Sequence, residues 1–347
     1  MSVVYQIESD GFLYEVVDDL AILYQAVFTG ALLDETNGEP IVSLPVLSTD
    51  LEKLSLRSAT GALIAGAAYV EQVFPKLATT SYLFHVDISA EGYQHTTLTV
   101  NVPAGTTFPI TTAPVIMRRI PVRLQGKVVK DSDRSPLPLA TVSSKSGKTP
   151  LLRDNVRSSH AAGTTVRSFS FTNLGAARKL SATALPGSTG VVLDNNAGLG
   201  ANDFLQIGSD GSAQIYQVSG TGPAAGLVVL QSPLTATFPD GTAVQQLNPV
   251  GPSGNSTLAR SSDPGDGLLV LATALSDSGI EIVDGAATEY HWLNAVSGTD
   301  GYYQADGIVA VAALELLCKS GVLTPGDQPW MPQYGDRVNV VDFRLRP

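Results

Sequence analysis

Cysteine is almost missing from this chain: Cys318 stands alone among 347 residues. A lone thiol excludes an internal disulfide framework and any multi-cysteine metal site. Within Ala312-Ala-Leu-Glu-Leu-Leu-Cys318 it reads as a buried apolar side chain. Charge is scarce as well. Only 15% of residues are Asp, Glu, Lys or Arg, against roughly 25% in an average globular protein. The balance is acidic, with a formal net charge of −11. Nucleic acid is therefore not an expected partner, because tracking phosphates needs clustered Lys and Arg, and the pairs Arg118-Arg119 and Arg344/Arg346 are isolated. No run of eighteen apolar residues occurs, so no membrane-spanning helix is expected. The opening Met1-Ser-Val-Val-Tyr5 lacks a basic and an apolar leader region, so no signal peptide is expected and the reading is cytoplasmic.

Catalytic signatures are missing in the same way. The histidines His85, His95, His160 and His291 contain no pair at i, i+2 or i, i+4, the spacings that would place two on one metal. There is no Gly-x-Ser-x-Gly elbow and no His-Glu-x-x-His. Gly147-Lys148-Thr149 imitates only the tail of a phosphate-binding loop. Asp131, Asp133, Asp194, Asp203 and Asp210 sit in turn-like contexts, where Asp bonds its own backbone. They do not follow an EF-hand ligand order. Glu281, Asp284 and Glu289 beside Trp292 have the residue types of a glycosidase site, but nothing in their spacing supports it. No catalytic, cofactor or metal residue is assigned.

What is plentiful is turn chemistry and apolar alternation. Gly (33) and Pro (21) accompany 44% hydrophobic residues, the profile of an all-β chain. The most informative stretch is Val122-Arg-Leu-Gln-Gly126, an alternating strand that runs into a polar turn with Pro136 ten residues after the glycine. The same layout occurs earlier: Ala26-Val-Phe-Thr-Gly30, then Asn37-Gly38 and Pro40. Gly30, Pro40, Gly126 and Pro136 are therefore read as matched structural turns of a repeated β-module. Tyr82–Ile88 and Thr97–Val102 alternate around a short Gly turn and predict a hairpin.

Three regions follow. Residues 1–23 form an N-terminal arm; Phe12, Leu13, Val16, Val17, Leu20 and Leu23 fit a helical face, although Val16-Val17 favours strand. Residues 24–119 form a first module and 120–347 a second. The second is interrupted at about 180–250 by five short strands with turns at Asp210-Gly211 and Asp240-Gly241, which reads as an inserted small β-domain. Residues 251–267, rich in Gly, Pro and Ser, read as a flexible return linker.

The glycine-led strand, the Pro and Ala-Thr-Val after it (Pro136, Ala140-Thr-Val142) and the terminal Gly301-Tyr302 turn together resemble the carboxypeptidase regulatory-like family. That resemblance implies two tandem transthyretin-like, Ig-like β-sandwiches with no catalytic residues or cofactors of their own. It also implies a structural or assembly role. Modules of this kind occur in phage tails and phage-tail-like contractile injection systems, as baseplate, cap or surface components whose partners are other subunits of a large particle. A second expectation comes from the aromatics. Tyr290, Trp292 and Tyr302 are ligand-binding candidates, able to stack on a glycan if exposed and serving as core anchors if buried.

Overall fold

The computed structural model describes residues 5–9, 12–17, 20–51, 54–59, 61–68, 80–285, 287–310, 312–334 and 336–347. The protein divides into two units, Met1–Ile120 and Pro121–Pro347. Among the described residues the regular structure is strand, apart from one 3-10 turn at Asp210–Ser212.

The first unit contains β1 (Tyr5–Ser9), β2 (Phe12–Val17), β3 (Leu20–Asp34), β4 (Val46–Thr49), β5 (Leu54–Ala59), β6 (Ala62–Ala68), β7 (Tyr82–Ser89), β8 (Thr96–Val102), β9 (Ile110–Thr111) and β10 (Val115–Met117). One sheet runs β1-β2-β3-β6-β5, with β9 and β10 added parallel to β3; the other runs β4-β7-β8. The helical spacing read in the arm is not realised in its described part. Residues 12–17 and 20–25 pair as antiparallel strands, the conformation that β-branched Val16-Val17 prefers. In β7 the side chains alternate, so Phe84, Val86 and Ile88 turn inward, as a two-residue period requires. They meet Phe28 and Leu32 of β3 and Val100 and Val102 of β8 in one core. The Phe28 and Phe84 rings lie 5.9 Å apart.

The second unit contains β11 (Val122–Lys130), β12 (Thr141–Ser144), β13 (Thr165–Lys179), β14 (Gly190–Val192), β15 (Phe204–Ile207), β16 (Gln214–Thr221), β17 (Leu227–Leu230), β18 (Ala243–Thr257), β19 (Gly279–Asp284), β20 (Ala287–Trp292), β21 (Ala295–Val296), β22 (Tyr302–Ile308), β23 (Leu314–Lys319), β24 (Gly326–Trp330), β25 (Val338–Val340) and β26 (Phe343–Leu345). Its sheets are β22-β11-β25 with β26 also on β11, then β21-β12-β23-β24, and an eight-stranded sheet β14-β17-β16-β15-β18-β13-β19-β20.

The matched sequence lines build the same ladder twice. Leu33 bridges Pro40 and Val129 bridges Pro136. Gly61 accepts from the Leu32 N–H, and Gly301 from that of Val128. Parallel pairing sets Leu32 opposite Val115 in the first unit and Val128 opposite Phe343 in the second. In the turn itself Gly38 takes φ +70°, and its counterpart Arg134 takes φ +61°, a left-handed conformation that costs a side-chain-bearing residue about 1–2 kcal/mol. The Asp after the glycine is not equivalent in the two lines. Asp34 receives Thr36, Tyr93 and Arg119, whereas its counterpart is Lys130, and Asp131 pairs with Arg346.

The five strands read at 180–250 are present, but their sheet reaches beyond that span through β13, β19 and β20. Residues 251–257 are not a linker. They continue β18, and after an irregularity at 251–253 residues 254–257 pair with Thr165–Ser168 of β13. A ladder partner on one side outweighs the low strand preference of Gly and Pro, since such preferences are set by context.

Cys318 on β23 is fully buried, and burial pushes its thiol up to about 12. The folded protein is expected to give no reaction with a thiol reagent at pH 8 and one equivalent after denaturation. Labelling in the native state would show that this strand opens.

Candidate functional site

β20 sorts its side chains by alternation. Tyr290 and Trp292 face a cluster of aromatic rings, while Glu289 and His291 face the segment 154–160. Tyr290 lies 4.6 Å from the ring of Phe204 and Trp292 lies 5.1 Å from Phe171, both edge-on. Both are buried, so of the two fates open to these rings they take that of core anchors. Tyr302 is half-buried and donates its hydroxyl to Gln125 Oε1 at 2.6 Å.

Opposite the aromatics lies a buried ionic group. Glu289 receives His160 Nε2 on Oε1 and His291 Nε2 on Oε2, each at 3.1 Å, and the Arg157 backbone N–H at 3.0 Å. His160 Nδ1 reaches Asp284 at 3.3 Å. Asp154 Oδ2 lies 3.3 Å from His291 Nδ1 and accepts Arg157 Nη2 at 2.7 Å. Arg157 in turn stacks 4.6 Å over the ring of Tyr216 and donates to the Ile215 carbonyl of β16. The side chains of Asp154, Arg157, His160, Glu289 and His291 are each at most 5% exposed.

Burial in such a place opposes charge, yet here the partners win. The Glu289 hydrogen bond raises the pKa of His160 against its desolvation. For His291 desolvation is the largest influence, but Asp154 and Glu289 outweigh it and its pKa rises too. Burial likewise works against the Glu289 carboxylate, and the two imidazoles hold its pKa far below the usual range. Asp154 is also lowered, by His291 and Arg157 against burial. Buried charges persist only when paired, and here Arg157 and the two imidazoles face Asp154, Glu289 and Asp284. Asp154 Oδ1, Arg157 Nε and His291 Nδ1 have no hydrogen-bond partner among the described residues. The group clamps the 154–160 segment to β20 and β16.

The carboxylates that resembled a glycosidase set each have a cationic partner: Glu281 pairs with Arg167, Asp284 with His160 and Glu289 with both histidines. Asp133 and Asp203 accept backbone N–H groups within their own turns, while Asp194 accepts the Lys179 N–H at the end of β13. Among the described residues no group of three or more His, Cys, Asp or Glu is placed to hold a metal ion, and no helix is long and apolar enough to cross a membrane.

A cleft of about 470 Å³ adjoins the clamp. Burial alternates from Leu152 to Val156, so Asp154 faces inward to the ionic group while Arg153 and Asn155 line the cleft. Arg153 lies 5.6 Å over Trp292 and donates to the carbonyls of Asn294 and Asp210. The far wall consists of the Asp210–Ser212 turn, the loop at Asp300 and the start of β22 with Tyr302 and Gln304. That turn approaches closely because Gly211 has no Cβ, which would lie 2.6 Å from the Val296 carbonyl oxygen.

The sequence search missed the ionic group because its members are distant in the chain; the legible trace was Glu289 and His291, two residues apart on one strand face. Searches against protein-family models, curated proteins and solved structures find no match to this chain.

Proposed function

We propose that this chain is a non-enzymatic assembly protein of a phage-tail or phage-tail-like contractile injection particle, built from two tandem transthyretin-like sandwiches. The second sandwich carries the eight-stranded sheet as its insert. The reading rests on one observation above all: the same strand, turn, bridge and parallel closing strand are laid down twice. Duplicated rigid modules position surfaces, and the chemistry of such a chain lies in its contacts. It would be made in the cytoplasm and leave only as part of the particle.

The contact surface favoured is the edge at β4. That strand is terminal in β4-β7-β8, and the run leading into it presents Val42, Leu44 and Val46 outward at 77%, 68% and 73% exposure. An apolar edge with open backbone groups pairs readily with another chain. Burying each side chain contributes about 1.5–3 kcal/mol, while association costs roughly 4–15 kcal/mol. One contact is therefore weak, and repetition around a particle supplies the rest.

The test is co-sedimentation with sheared particles from the producing cells. The native chain is expected in the pellet and a Val42→Lys/Val46→Lys variant in the supernatant, with its thermal unfolding unchanged. Pelleting of both, or of neither, would overturn the reading.

A further inference from the structure

We propose that the polar cleft beside the ionic clamp is a binding site for a neutral sugar ring. This goes beyond the assembly reading, and the two stand or fall separately.

The cleft has the right size and lining. Small-ligand sites occupy roughly 300–1,000 Å³, and this one measures about 470 Å³. Its wall offers a guanidinium (Arg153), two carboxamides (Asn155 and Gln304), two carboxylates (Asp210 and Asp300) and the half-buried ring of Tyr302. Planar groups with paired donors or acceptors match vicinal hydroxyls, each of which both donates and accepts. Carboxylates accept from hydroxyls through charge-assisted bonds, the stronger kind. The tyrosine ring supplies an apolar plane for the C–H face of a sugar.

Charge selects among ligand classes. Asp306, also in the wall, is taken by Arg123 and by Gln304 Nε2 at 2.6 Å. What remains is Arg153 against Asp210 and Asp300, an excess of one negative charge. A phosphate or carboxylate ligand is repelled by that excess, while a cation is drawn by the two carboxylates and opposed by Arg153, so charged comparators of both signs enter the test. A neutral polyhydroxyl compound meets neither repulsion.

The groups are also held in place before any ligand arrives. Asp300 Oδ1 accepts the Tyr302 N–H at 3.0 Å, which fixes the side chain. Asn155 Nδ2 donates to the Gly265 carbonyl at 2.8 Å and keeps its oxygen. Tyr302 is fixed through Gln125. Arg153 and Asn155 flank Asp154, which the clamp anchors through His291 and Arg157. Preordered side chains lower the entropic cost of binding.

The experiment is saturation-transfer NMR on the full chain. The panel is glucose, galactose, mannose, N-acetylglucosamine and their β1,4-linked dimers, with spermidine and sulfate as charged comparators. At least one sugar is expected to bind saturably in the millimolar range. Thr299→Trp, which fills the cleft from an exposed turn, is expected to abolish that signal. Asp210→Asn/Asp300→Asn, which keeps both turns, is expected to weaken binding at least tenfold. Thermal unfolding shows that each variant is folded, and the double Asn variant decides the matter if the Trp variant is not. No saturable sugar signal, a signal indifferent to the folded variants, or binding of spermidine or sulfate alone would overturn the proposal.

Discussion

Glu289→Gln is expected to destabilise the 121–347 unit by about 3–5 kcal/mol, the range seen when one member of a buried charge pair is removed. Among the described residues Glu289 is the only carboxylate that both His160 and His291 touch, so its loss leaves two buried imidazoles competing for Asp154 and the half-exposed Asp284. Urea unfolding followed by tryptophan fluorescence isolates the effect, because both tryptophans, Trp292 and Trp330, lie in this unit. The native unit should also lose stability as the solution becomes alkaline. Both histidines have raised pKa values in the fold. Their contribution is therefore complete below the unfolded value of about 6.5 and is lost as pH rises through the folded values. Glu289 and Asp154 are lowered, so their contribution is present above the unfolded carboxylate range and fades only as pH falls through the folded values. The groups facing the two imidazoles are Glu289, Asp284, Asp154 and Arg157. Stability that stays level from pH 6 to 9, or a Gln variant as stable as the native chain, would show that the clamp contributes nothing.

The second large effect distinguishes two glycines that the sequence presents as equals. Gly126→Ala is expected to cost about 3 kcal/mol, the upper part of the usual range for overpacking. Its new Cβ would overlap the Val341 carbonyl oxygen, which accepts the Tyr303 hydroxyl and belongs to a residue whose N–H bonds the Gln125 carbonyl. Moving it would loosen the parallel pairing of β11 with β25 and β26. Gly30→Ala meets only the hydroxyl of Thr112, 2.5 Å away, which can rotate aside. Alanine also narrows the unfolded ensemble, a gain of about 0.4–1 kcal/mol, so this change should be close to neutral. Calorimetry on the two variants resolves the units separately. Equal losses would mean that the two closures are not built differently.

These contrasts mark how far the sequence could be read. Turn chemistry is local, so the Pro40 and Pro136 turns, the hairpin of β7 and β8, and the five central strands were visible in composition and alternation. The polar continuation of β18 was not, because Gly251-Pro-Ser-Gly-Asn-Ser carries no strand signal of its own and is ordered by β13. The arm misled for the opposite reason: its apolar spacing suits two periods, and pairing with β3 chose between them. At the site, Tyr302 was legible as an aromatic beside a turn. The clamp was not, since His160 and Glu289 lie 129 residues apart and nothing local at either end implies the other.

The closing strand of each copy has a consequence for synthesis. In the first unit β3 waits only for β10, and that ladder is complete once Met117 has left the ribosome. In the second, Lys127 and Asp342, bonded to each other, lie 215 residues apart. Contacts so distant form late and slowly, and domains emerging from the ribosome fold as units in order. The eight-stranded sheet is therefore made whole before the strands that frame it can meet. β11 must remain unpaired until β22, the first of its partners, has been made, and that interval is when the chain is most exposed to mispairing.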